Sequence, residues 1–167
     1  MRTIVALACA AVLAGCASAD GRGLVPGRST AAEVEALMGP AADKRVTSGG
    51  ETVYYYPRLP WGYVTYAARI SPDGRLVALE QRLTFENTEK LKVGTTRGDE
   101  VLELLGPPFE PMHQRLSGKE LWTYPMRVQG YPTPRWFLVQ ITPEGVLAEK
   151  YFIDDPQWVQ PDSPRHR

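Results

Sequence analysis

Two rhythms of hydrophobic positions run along this chain, and each occurs twice. Ala31, Val34, Leu37 and Met38 recur at helical spacing. Ser29 or Thr30 stands where a cap belongs, and Glu33 is placed for a capping box with Thr30. Gly39 and Pro40 stop the pattern. The period then shortens. Residues 51–56, 63–70 and 76–85 read as strands, the last with Val77, Leu79, Leu83 and Phe85 on one parity. Ser71-Pro72-Asp73-Gly74 reads as a hairpin turn. After a link at 87–91 the order returns: a helix capped by Thr96 and ended by Gly106-Pro107, then strands at 120–124, 135–141 and 147–153.

The recurrence is a duplication. Gly27 matches Gly94, Ser29 matches Thr96, Glu33 matches Glu100, Val34 matches Val101, Leu37 matches Leu104, and Gly39-Pro40 matches Gly106-Pro107, all without a gap. The expected fold is α+β: two tandem units, each a helix plus a three-stranded antiparallel meander, sharing a sheet. The units are placed at 26–90 and 91–154. Residues 155–167, polar and proline-rich around a lone Trp158, are expected as a flexible tail.

The first residues follow another logic. A short positive start precedes an apolar run, 4–13, of signal-peptide length, and Leu13-Ala14-Gly15-Cys16 is similar to a bacterial lipobox. That likeness implies a signal peptide over 1–15, diacylation of Cys16, a tether over 16–25 and, with Ala17 after the cysteine, an outer-membrane address. Ordinary secretion with a cut after Ala17-Ser18-Ala19 is the alternative. Cys9 falls in the removed segment and Cys16 carries lipid, which leaves no thiol for a disulfide or a thiolate site.

Charge changes the picture little: 19 basic residues balance 19 acidic ones, so no basic footprint points to nucleic acid. The search for chemistry is equally spare. His113 and His166 stand apart, no nucleotide loop or zinc motif is present, and Asp154-Asp155 reads as a solvated strand end. Glu33 and Glu100 read as first-turn carboxylates at helix N-termini. A non-enzymatic chain is expected, with no metal and no small-molecule cofactor.

The pattern Gly-x-Ser/Thr, then Glu-Val-x-x-Leu-Leu/Met-Gly-Pro, followed by aromatic strands, resembles the SmpA/OmlA domain of BamE-like outer-membrane lipoproteins. The tandem arrangement resembles β-lactamase inhibitor protein. The resemblance spans about 24–153. It implies a lipid-anchored, periplasm-facing module that binds another envelope protein and supports envelope or outer-membrane protein assembly. Inhibition of a periplasmic hydrolase is the alternative.

Where a partner docks is read from the strands. Tyr54 with Trp122, Tyr56 with Tyr124, and Ile70 with Ile141 are assigned to the helix side. Alternation then puts Tyr55, Tyr63, Thr65 and Arg69 on the other face of the first unit, and Thr123, Trp136, Leu138 and Gln140 on that of the second. Trp61 and Tyr131 sit in loops that extend this face. The expected protein-binding set is Tyr55, Trp61, Tyr63, Arg69, Tyr131, Trp136 and Gln140. The other reading, left open, is that these rings pack between the two units.

Overall fold

In a computed structural model, residues 20–113 and 118–158 are described. Each half of the chain runs helix first, then four antiparallel strands. The first half has α1 (Ala31–Met38) and β1 (Asp43–Val46), β2 (Thr52–Pro57), β3 (Thr65–Ile70) and β4 (Leu76–Gln81). A short helix, α2 (Phe85–Lys90), links it to α3 (Gly98–Leu105), β5 (Glu110–His113), β6 (Glu120–Met126), β7 (Arg135–Ile141) and β8 (Leu147–Asp154). The class is α+β. The strands form two separate four-stranded sheets, ordered β1-β2-β3-β4 and β5-β6-β7-β8, in place of the three-stranded meanders sharing one sheet that the sequence suggested.

The added strands escaped notice for a physical reason. β1 reads Asp-Lys-Arg-Val and β5 reads Glu-Pro-Met-His. Both are edge strands, where charge and proline are tolerated because one side of the backbone needs no partner. The link also differs from expectation. Strand β4 stops at Gln81, and Thr84 caps α2 by accepting from the Asn87 N–H. Leu83, assigned to the first unit by sequence, joins Leu91 in the core of the second.

Backbone hydrogen bonds carry the duplication. In the first half Gly27 N–H donates to the Leu76 carbonyl, Leu76 N–H to that of Ser29, and Ala31 N–H to that of Gly74. In the second half Gly94 donates to Leu147, Leu147 to Thr96, and Gly98 to Gly145. Each helix therefore starts from the hairpin turn of its own sheet. Gly27 and Gly94 have φ of 77° and 78°, the left-handed region that side chains avoid. A bulge opposite Arg69 and Ile70, repeated opposite Gln140 and Ile141, puts Leu76 and Leu147 on the helix side and turns Val77 off the parity expected for it.

The capping box on α1 is present: Thr30 Oγ1 accepts from Glu33 N–H at 3.2 Å, and the Glu33 carboxylate accepts from Thr30 N–H at 2.7 Å. In α3 the cap is Arg97, not Thr96. An arginine side chain has no acceptor, so only half the box forms, with the Glu100 carboxylate accepting from Arg97 N–H at 2.6 Å. Thr96 instead accepts from Lys92 N–H, as Ser29 accepts from Val25 N–H.

One core lies between α1 and the first sheet, around Val34, Met38, Tyr56, Ala68, Ile70 and Leu76. A larger one lies between α3 and the second sheet, around Val101, Leu105, Trp122, Tyr124, Phe137 and Val139. The halves join through α3. Tyr55, on the far side of the first sheet from α1, donates its hydroxyl to the Glu103 carbonyl at 2.7 Å. The order in space is α1, first sheet, α3, second sheet.

Candidate protein-binding surface

That stacking decides which sheet face is open. In the first half the face opposite α1 carries Val53, Tyr55, Thr65 and Ala67, all buried. The end of α3 presses on it. A Cβ added at Gly106 would meet Thr65 Cγ2 at 2.7 Å and Tyr55 Cδ1 at 3.0 Å. Small side chains at 65, 67 and 106 permit this approach. Tyr55 is 0 % exposed, and burial raises its hydroxyl pKa above the ordinary value. Its assignment to a docking face is thus corrected: it is a joint between the halves.

Arg69 is corrected as well. Its guanidinium bridges Glu51 at 3.0 Å and Glu80 at 3.2 Å, and Arg82 extends the row to Glu80 at 3.0 Å. These charges run across the first sheet, and Arg69 is spoken for within its own chain. Tyr63 is 9 % exposed, under the guanidinium of Arg127 at 5.2 Å.

The second sheet is built differently at the matched positions. Trp136 stands where the first half has Thr65, Leu138 where it has Ala67, and Gln140 where it has Arg69. Register puts Leu138 opposite Thr123 and Tyr151, Trp136 opposite Pro125 and Ile153, and Leu121 opposite Met112 and Gln140. These residues share the face turned away from α3. None of its apolar side chains belongs to a core cluster; Leu138 is nonetheless buried, at 6 % exposure, while Met112 and Tyr151 are exposed. Trp136 and Gln140 are half-buried, and Lys119 Nζ donates to Gln140 Oε1 at 3.4 Å. Of the expected set, then, Trp136 and Gln140 lie on an open face. Sequence reasoning missed Tyr151, Met112 and Leu121 beside them, although the strand alternation of β8 and β6 carries that signal.

Trp61 and Tyr131 lie elsewhere. The loops 58–64 and 127–134 meet at the end of the sheets, where Arg127 covers Tyr63 and Arg135 covers the Tyr131 ring at 4.6 Å. Asp155–Trp158, expected as tail, forms a turn at the same end, with Asp155 buried and its carboxylate accepting from Gln157 N–H at 2.9 Å. Cys16 and His166 lie outside the described residues.

Among the described residues no three His, Cys, Asp or Glu side chains gather as metal ligands, and no helix is long and apolar enough to cross a membrane.

No family model matches the chain, and no curated protein matches it. Among solved structures, a DUF4309 family protein (YjgB) from Bacillus subtilis is similar at 16% identity and a TM-score of 0.32, over 80% of this chain and 84% of that one. A likeness at that level leaves function to the chain's own geometry.

Proposed function

We propose that this chain is a non-enzymatic, periplasm-facing lipoprotein of the outer membrane, anchored through Cys16, that binds another envelope protein through the outer face of its second sheet. In the finer reading of the fold, each half is an SmpA/OmlA-like unit and the pair supports envelope or outer-membrane protein assembly. One observation carries the binding role. The two halves share a design, yet α3 closes one sheet face while the matching face of the other half keeps Trp136 and Leu121 partly exposed and Tyr151 and Met112 exposed, with no covering element among the described residues. An aromatic anchor amid aliphatic neighbours, with polar residues such as Gln140 and Glu149 at its margin, has the composition of a protein interface.

A photo-crosslinking residue placed at Trp136 in the membrane-bound protein tests this. A discrete protein adduct from position 136, absent from position 75 at the hairpin end, is the expected result. Equal labelling at both positions refutes it. The hydrolase-inhibitor alternative needs a protruding loop free to enter a cleft. Trp61, exposed in the loop 58–64, offers one.

A further inference from the structure

The two ends of the molecule differ in character. The hairpin end is polar, with Asp73, Arg75, Arg97 and Glu144 around the two turns. The opposite end gathers the loops 58–64 and 127–134 and the turn after β8. Trp61 is 73 % exposed there, Tyr131 54 % and Trp158 53 %. Trp61, Tyr63, Gln157 and Trp158 line a groove of about 420 Å³, and the Trp158 indole N–H reaches the Tyr63 hydroxyl at 3.4 Å. Arg135 is paired with Asp154 at 3.2 Å, whereas Arg127 has no carboxylate partner among the described residues.

The described chain begins between these two ends. Gly27 is bonded to Leu76 at the hairpin end. Six residues earlier, Gly21 packs against Leu79 and Met38. Leu79 lies opposite Ala68, which lies opposite Tyr54, so Gly21 is at mid-sheet. Met38 is the last residue of α1, and its carbonyl accepts from Arg58 of the Trp61 loop at 3.0 Å. From Tyr54 to the end of β2 at Pro57 is about 10 Å. Cys16 lies five residues before Gly21 and so within about 18 Å of it at full extension. That length lets a lipid on Cys16 reach the level of the aromatic rim.

We infer that the rim formed by Trp61, Tyr131 and Trp158, with Arg127, is a second membrane contact, resting in the headgroup layer of the leaflet that holds the lipid. This rests on the reading of Cys16 as acylated. Indole and phenol rings have an apolar body and a polar edge, which places them at bilayer interfaces. The unpaired guanidinium of Arg127 suits lipid phosphate. The strands then rise from the membrane, and the open face of the second sheet looks sideways, accessible to a neighbour in the same envelope layer.

The test uses the processed, full-length protein reconstituted into phosphatidylcholine vesicles with and without mid-chain bromine, a short-range quencher of indole emission. Flotation is measured on the same samples. The expected result is a loss of tryptophan emission in brominated vesicles, cut at least two-fold in the W61F/W158F double variant, which keeps only Trp122, buried in the second core, and Trp136, half-buried on the second sheet; quenching undiminished in that variant overturns the rim contact. Both replaced residues are more than half exposed, so the variant keeps its fold. Flotation with no quenching of the natural chain overturns the rim contact while the anchor stands. Failure to float removes the anchor and the inference together.

Discussion

Tyr55 and Tyr56 are neighbours in one strand, both almost fully buried, and they separate two roles. The Tyr55 hydroxyl donates to Glu103 O at 2.7 Å. That carbonyl is among the last four of α3, which have no intrahelical donor, so the phenol satisfies a group that is otherwise orphaned. The Tyr56 hydroxyl is buried against the first core and has no partner among the described residues. Tyr55→Phe loses one part-buried hydrogen bond, at about 0.5–1.5 kcal/mol. Tyr56→Phe removes an unsatisfied group and is neutral or stabilising by about 1 kcal/mol. Tyr55→Ala opens a cavity between the first sheet and α3 and costs about 3–5 kcal/mol. Urea denaturation followed by Trp122 fluorescence gives all three values, since Trp122 lies in the second core. An alanine at 55 that leaves the midpoint unchanged refutes the joint between the halves. So does a Tyr55→Phe variant as stable as Tyr56→Phe.

Further outcomes follow from the same geometry. Gly39 and Gly106 both end helices with φ near 85° and 82°. A Cβ at Gly39 meets nothing within 4 Å, whereas one at Gly106 strikes Thr65 and Tyr55. Gly39→Ala therefore costs about 1–3 kcal/mol of backbone strain, since ψ of −177° at that φ is a region almost confined to glycine, and Gly106→Ala about 1–3 kcal/mol more from overpacking; thermal unfolding of the pair measures the difference. Glu33, Asp73 and Glu144 have lowered pKa values, through hydrogen bonds from Thr30, Ser71 and Thr142 respectively. A carboxylate with a depressed folded pKa stabilises above its unfolded pKa, and that contribution is lost as pH falls through the folded value. Stability measured from pH 7 downward should fall below about pH 4.5, and Glu33→Gln should shrink that loss. Tyr56 is pushed up to about 12 by burial, so its share of stability disappears as pH rises from about 10 towards that value, and Tyr56→Phe should flatten this alkaline limb. Trp136→Ala should leave the unfolding midpoint within about 1 kcal/mol, as for a surface site, while reducing crosslinking from a photoreactive residue placed at Tyr151.

Helices α1 and α3 and six of the eight strands are visible in the sequence because each has a periodic apolar stripe and a glycine or proline at its end. What escapes has no stripe: β1 and β5 are polar edges, and α2 is six residues long with Phe85 imitating strand parity. The candidate face was half legible. Alternation correctly set Tyr54 and Tyr56 against Tyr55, but alternation says which residues share a face and not what lies against it. The missing information was in side-chain size. Thr65 and Ala67 in one copy, against Trp136 and Leu138 in the other, mark where a helix can approach and where it cannot.

That asymmetry bears on why the chain is duplicated. A four-stranded sheet with one helix has two faces and covers one of them. Placing two such units in series lets α3 serve both sheets: Val101 and Leu105 pack on its own sheet, and the Glu103 carbonyl and Gly106 meet the other. The arrangement consumes one of the two free faces, and among the described residues no third helix follows β8 to take the second. The residue set at that second face has diverged in the direction an interface requires, from small to large and from ion-paired Arg69 to Gln140. If the open face were merely a leftover, shrinking its side chains towards those of the first copy, Trp136→Thr with Leu138→Ala, would leave partner crosslinking from position 151 unchanged; its abolition, with α3 and the second core still folded by Trp122 fluorescence, is the outcome that the geometry demands.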